Sequence, residues 1–131
     1  MWVKYVNNPC GRNGVGDCVL RALGKVLGKT WHEVYWDLCL MGAYMCDWGN
    51  SNAVWDAYLR EKGFVRAAIP NTCPECYTVE DFAKENPKGV FVVATGSHAI
   101  AVVDGCVYDS WDSTQEIPTY YYFRGNFNGE F

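Results

Sequence analysis

Apolar and polar positions along the first half of this chain alternate with a helical period. Val19, Leu20, Ala22, Leu23, Val26 and Leu27 recur every three or four residues, which predicts a helix opening at Cys18 and stopping at Gly28. Thr30-Trp31-His32-Glu33 has the Ser/Thr-x-x-Glu form of a capping box, and Val34, Tyr35, Leu38 and Met41 continue as one side of a second helix. The stretch CDWGNS, 46–51, reads as a turn, and a third helix follows from about Asn52 through Val54, Trp55, Tyr58 and Leu59 to Gly63.

Beyond Gly63 the period changes. Phe64 to Ile69 reads as a short strand closed by Pro70, and Thr78-Val79-Glu80-Asp81 caps a short helix that Pro87 ends. Three Val-rich runs follow, at 90–95, 98–104 and 106–111, with Asp104-Gly105 as a strong hairpin turn. A last aromatic strand covers roughly Ile117 to Phe123, and the tail RGNFNGEF reads as frayed. Helices followed by strands imply an α+β fold in one domain, a helical half over about 1–63 packed on a mostly antiparallel β half over about 64–131.

Composition narrows the class. The chain has 131 residues, half of them apolar and a fifth charged, enough for one globular core. A net charge of −4 and the absence of a Lys/Arg-rich run argue against nucleic acid or an anionic membrane as partner. No apolar run approaches the ~20 residues of a spanning helix, and MWVKYVNNPCGRNG lacks the apolar core of a secretory signal. A cytoplasmic location and reduced thiols are therefore expected for the seven cysteines. Six Trp and nine Tyr are too many for the core alone, so some of them line a cleft or the surface.

Two positions carry the chemistry. Cys18 stands at the start of a helix, where the free N–H groups and the dipole favour a thiolate and can hold an oxyanion. Gly14 and Gly16 let the preceding backbone come close to a substrate. His98 stands at the head of a strand, in Gly96-Ser97-His98, whereas His32 falls in the first turn of a capped helix and reads as a surface residue. A two-residue Asp104-Gly105 turn pairs 103 with 106, 101 with 108 and 100 with 109. His98 and Ile100 then share a face with Val107, Asp109 and Trp111, and Asp109 is the diagonal neighbour of His98. A three-residue turn would instead bring Asp112 opposite. Asp109 can accept the imidazole N–H, orient the ring and stabilise its charged form. Each residue also has a plain structural account: Cys18 as a small core residue, His98 as a hydrogen-bonded strand end, Asp109 as a guard of a sheet edge.

The segment SHAIAVVDGCVYDSWDS, 97–113, resembles the histidine hairpin of papain-like cysteine peptidases, in which a His and an apolar strand lead through a turn to an Asn-Ser-Trp signature. His98 matches the catalytic histidine, Asp109 the orienting asparagine, and Ser110-Trp111 the Ser-Trp pair. Cys18 matches the nucleophile in the family's chain order, and Asp17-Cys18 resembles the Asp-Cys of bacterial leader-processing peptidases of that superfamily. The glutamine that such enzymes place six residues before the cysteine is here Arg12, with Asn13 one residue nearer.

The resemblance implies a papain-like fold and a Cys18–His98–Asp109 hydrolase of peptide, isopeptide or other amide bonds. Asn13 and the Cys18 N–H would hold the oxyanion, and Gly16, Trp48, Gly96 and Trp111 would line the substrate cleft. It implies a peptide or protein substrate and no cofactor or metal. An acyl transferase of the transglutaminase kind would use the same groups, and a silent protein-binding module would use only the aromatic surface. Cys73-Pro74-Glu75-Cys76 reads as half a zinc site without its partner half, a redox pair or an ordinary loop. Cys39 and Cys46 read as packing residues, and Cys106 as partly exposed beside the hairpin turn.

Overall fold

Asp104 and Gly105 both take positive φ, 49° and 78°, the requirement of a two-residue type I′ turn. They join β4 (Ala99–Val103) to β5 (Cys106–Asp109) with Val103 opposite Cys106, Val102 opposite Val107 and Ala101 opposite Tyr108, the register expected from sequence. The structure, a computed structural model, describes residues 1–12 and 14–124. β3 (Val90–Ala94) pairs antiparallel with β4 and with β6 (Tyr120–Arg124), which pairs in turn with β2 (Phe64–Ala68).

The strand over Trp2–Lys4, β1, was not expected, and it runs parallel to β5. The sheet is therefore mixed, in the order β1-β5-β4-β3-β6-β2, and the helical half opens with a strand. β1 also covers β5, so Asp109 lies inside the sheet and not on its edge.

The α+β architecture is as expected: among the described residues, four helices, mostly N-terminal, pack on a six-stranded sheet. α1 (Cys18–Leu27) ends at Gly28, which takes the left-handed conformation at φ 64°. α2 (Trp31–Met45) starts with the reciprocal Thr30–Glu33 capping box. α3 spans Asn52–Glu61, and α4 (Val79–Glu85) carries a second capping box between Thr78 and Asp81.

Alternation along the strands sends Ala99, Ala101, Val92 and Tyr122 to one face, into the core formed with α1, α2 and α3. Ile100, Val102, Val93 and Val107 face the other way, against Val79, Phe82 and Ala83 of α4. α1 lies across β4, and that packing sets the N-terminus of α1 beside the start of β4. No helix among the described residues is long and apolar enough to cross a membrane.

Candidate active site

His98 immediately precedes β4, in a turn closed by a hydrogen bond from the Thr95 N–H to the His98 carbonyl (2.9 Å). Its Nε2 is 2.6 Å from Asp109 Oδ2, at the far end of the neighbouring strand. Cys18 stands at the first position of α1, beside the His98 ring and the Ala99 backbone, and its surroundings there favour the thiolate. With Nε2 held by Asp109, Nδ1 is the ring nitrogen left for the thiol. The three residues are thus brought together by the end of one helix and the register of one hairpin. Asp112 turns away and accepts from the Thr114 N–H and hydroxyl.

Charge inside this group is well compensated. Burial works to raise the Cys18 thiol's pKa, but the hydrogen bonds from His98 and Ala99 and the positive charges of His98 and Arg21 outweigh it, so the thiol ionises below its ordinary value. Burial works against a charged His98, yet its bonds to Asp109 and Cys18 raise the imidazole pKa to about 9. Burial likewise opposes ionisation of Asp109, and the donors His98, Ser113 and the Ser110 N–H hold the carboxyl below the usual range. Both shifts favour a Cys18 thiolate beside a His98 imidazolium.

Two further residues of this group were not anticipated. Arg21, on the inner face of α1 and only 6% exposed, bridges Asp17 Oδ1 (3.1 Å) and Asp109 Oδ1 (3.2 Å). Ser113 donates its hydroxyl to Asp109 Oδ2 at 2.6 Å. Asp17 occupies the N-cap position of α1, but its carboxylate makes no cap: Oδ1 takes Arg21, and Oδ2 takes the Trp31 indole N–H (3.0 Å) and the Asn8 amide (3.4 Å). The first turn of α1 therefore has no side-chain cap over N–H groups that ordinarily seek an acceptor. The Asp17/Arg21 spacing of four is visible in the sequence as a helix-start pair, but nothing in it signals that the pair is buried.

A cavity of about 140 Å³ opens on Cys18 and His98, with Gly16 and Gly96 in its wall as expected, together with Asn50, Trp55 and Tyr120. Trp111 is not in that wall. Its ring lies against the His98 ring, with centroids 5.2 Å apart and the planes tilted by 36°. Trp48 does not line the Cys18 cavity either and is 81% exposed. It forms the rim of an adjoining apolar cavity beside α2. Asn13, expected to hold an oxyanion, lies outside the described residues, as does the tail beyond Arg124.

Of the other cysteines, Cys106 is partly exposed beside the hairpin turn as expected, and Cys39, Cys46, Cys73 and Cys76 depart from expectation. Cys73 and Cys76 are joined by a disulfide, so neither is a reduced thiol or half of a zinc site. Cys39 and Cys46 are exposed, and Cys106 is half-buried. α2 is apolar around most of its circumference but buries only Val34, Leu38 and Gly42, so Cys39 and Cys46 fall outside the packed face.

Comparison with protein-family models, with curated proteins and with solved structures finds no match.

Proposed function

We propose that the protein is a cysteine-dependent hydrolase of peptide, isopeptide or other amide bonds, working through Cys18, His98 and Asp109 in the papain-like manner. The observation that carries the reading is the 2.6 Å contact of His98 with Asp109, with Cys18 facing the same cavity as that ring, at a helix start whose N–H groups have no side-chain cap. A structural histidine has no need of a half-buried thiol beside it and a buried carboxylate on one nitrogen.

The Cys18 thiolate attacks the substrate carbonyl carbon, and the carbonyl π pair moves onto oxygen. The Cys18 N–H and the helix dipole stabilise that oxyanion. His98, protonated in the resting pair, gives its proton to the leaving amine as the C–N bond breaks, leaving a thioester on Cys18. Neutral His98 then takes a proton from water, hydroxide adds to the thioester, and the carboxylic acid leaves as Cys18 recovers its thiolate. Asp109 keeps the ring oriented and stabilises its charged form throughout. Trp111 limits water's access to the His98–Asp109 bond.

The test is mass spectrometry of a peptide mixture incubated with the protein in ¹⁸O-water. Hydrolysis places ¹⁸O in the new carboxyl termini, and Cys18→Ser or His98→Ala abolishes the products. Transfer to an added amine in place of water identifies the acyl transferase, whereas no Cys18-dependent product of either kind would refute the enzyme reading.

A further inference from the structure

Beside the Cys18 cavity lies a second one of about 380 Å³, and the two share Gly16, Leu20 and Asn50 as a common wall. From the geometry we infer that this second cavity is a specificity pocket for one large uncharged side chain (Leu, Met, Phe, Tyr or Trp) of a peptide substrate, next to the bond that is cleaved. The inference rests on the hydrolase reading given above.

Sequence and packing build the pocket. Gly42 sits against the turn that follows α2, and a Cβ there would lie 2.7 Å from the Asp47 carbonyl oxygen and 2.9 Å from the Gly49 nitrogen. Its missing side chain lets residues 47–50 fold back along the helix. That return places Trp48 and Asn50 opposite the loop leading into Cys18. Trp31 and Tyr35, one helical turn apart, stack with centroids 5.2 Å apart and planes 18° from parallel, and form a flat aromatic wall. Leu20 and Leu38, both buried, close the base.

The chemistry of the walls selects the occupant. Among the described residues lining this cavity, Asp17 is the one that carries a charge. It is 3% exposed, and both its oxygens are already taken by Arg21, Trp31 and Asn8. A Lys or Arg side chain entering the pocket would lose its water and find no free carboxylate, and an Asp or Glu would find no cation. An apolar or aromatic side chain loses nothing and gains the ring surfaces. Asn50, exposed where the two cavities meet, offers a carboxamide to the backbone of a chain passing from one to the other. A peptide uses that polar junction, whereas a plain acyl chain does not.

The experiment incubates the intact protein with a randomised octapeptide mixture and reads the sequences of the cleaved products. The expected result is one position flanking the cleaved bond, enriched in Leu, Met, Phe, Tyr or Trp by roughly tenfold or more over Ala and depleted in charged residues. Trp48→Ala weakens that enrichment, and Trp48→Glu brings Lys and Arg into the same position. Trp48 is exposed, so neither change threatens the fold. In parallel, the Cys18→Ala variant is titrated with fluorescein-labelled peptides differing only in Phe or Lys at that position, and the Phe peptide is expected to bind the tighter. Cleavage without a side-chain preference, or a preference that both Trp48 variants retain unchanged, overturns the pocket assignment and leaves the hydrolase reading standing. Hydrolysis of octanoyl-p-nitroanilide in preference to every peptide shows an acyl chain as the occupant and overturns the peptide assignment. If no peptide and no anilide is cleaved, the hydrolase reading and the pocket fall together.

Discussion

Replacing Arg21 by Met tests whether the buried charge network holds the site together. Arg21 lies between two carboxylates, 3.1 Å from Asp17 and 3.2 Å from Asp109, and all three side chains are at most 7% exposed. At an effective dielectric of about 20, each pair of opposite charges about 4 Å apart attracts by about 4 kcal/mol, much of it offset by the cost of removing the ions from water. Met fills similar space but leaves Asp17 with only the Trp31 indole and Asn8, and Asp109 with His98, Ser110 and Ser113. Removing one member of such a buried group costs about 3–5 kcal/mol, because the remaining charges stay uncompensated. That is a large share of the roughly 5–15 kcal/mol that holds a domain of this kind together. Urea unfolding at pH 7 measures the loss. Asp17→Asn in the Arg21→Met background removes one of the stranded charges and recovers part of it, so the double-mutant cycle shows a coupling of about 1 kcal/mol or more. Losses that simply add, within about 0.5 kcal/mol, would refute the network.

Asp109→Asn removes the strongest support of the His98 charge while burial remains. The His98 ring, followed by NMR, should then titrate well below about 9, toward its ordinary value of about 6.5; an unshifted titration would contradict the assigned geometry. Stability should also depend on pH in a way set by the pair. The raised His98 pKa contributes stability that is complete below about 6.5 and lost as pH rises through about 9. The lowered Cys18 pKa contributes stability present above about 8.5 and lost as pH falls through its folded value. The two slopes oppose each other where they overlap. Denaturant titrations on Cys18→Ala should therefore show a steeper decline above about pH 6.5 than the parent chain shows.

The parts legible in the sequence are those set by local rules. Asp104-Gly105 fixes the hairpin register, and with it the meeting of His98 and Asp109 eleven residues apart. The Thr30 and Thr78 capping boxes mark two helix starts, and Gly28 marks an end. What escaped depends on partners distant in the chain. β1 has three residues, too few to show a period, and exists because β5 offers it an edge. Arg21 has the look of an ordinary helix charge until α1 is laid against β4 and β5, which buries it against Asp109, 88 residues away. The apolar residues of α2 run nearly all round the helix, so no stripe in the sequence says which face is packed. Trp48, expected in the cleft of Cys18, belongs to the neighbouring cavity because Gly42 admits the returning chain.

The proposed hydrolase requires Cys18 to be a thiolate activated by His98. The rate of alkylation of Cys18 by iodoacetamide as a function of pH, read by peptide mass mapping against the exposed Cys39 and Cys46 in the same sample, tests it most directly. The account predicts that Cys18 reaches half its limiting rate well below the roughly 8.5 of a free thiol, and that His98→Ala returns it to that value or higher. A Cys18 that titrates with Cys39 and Cys46, or one that His98→Ala leaves unchanged, would contradict it.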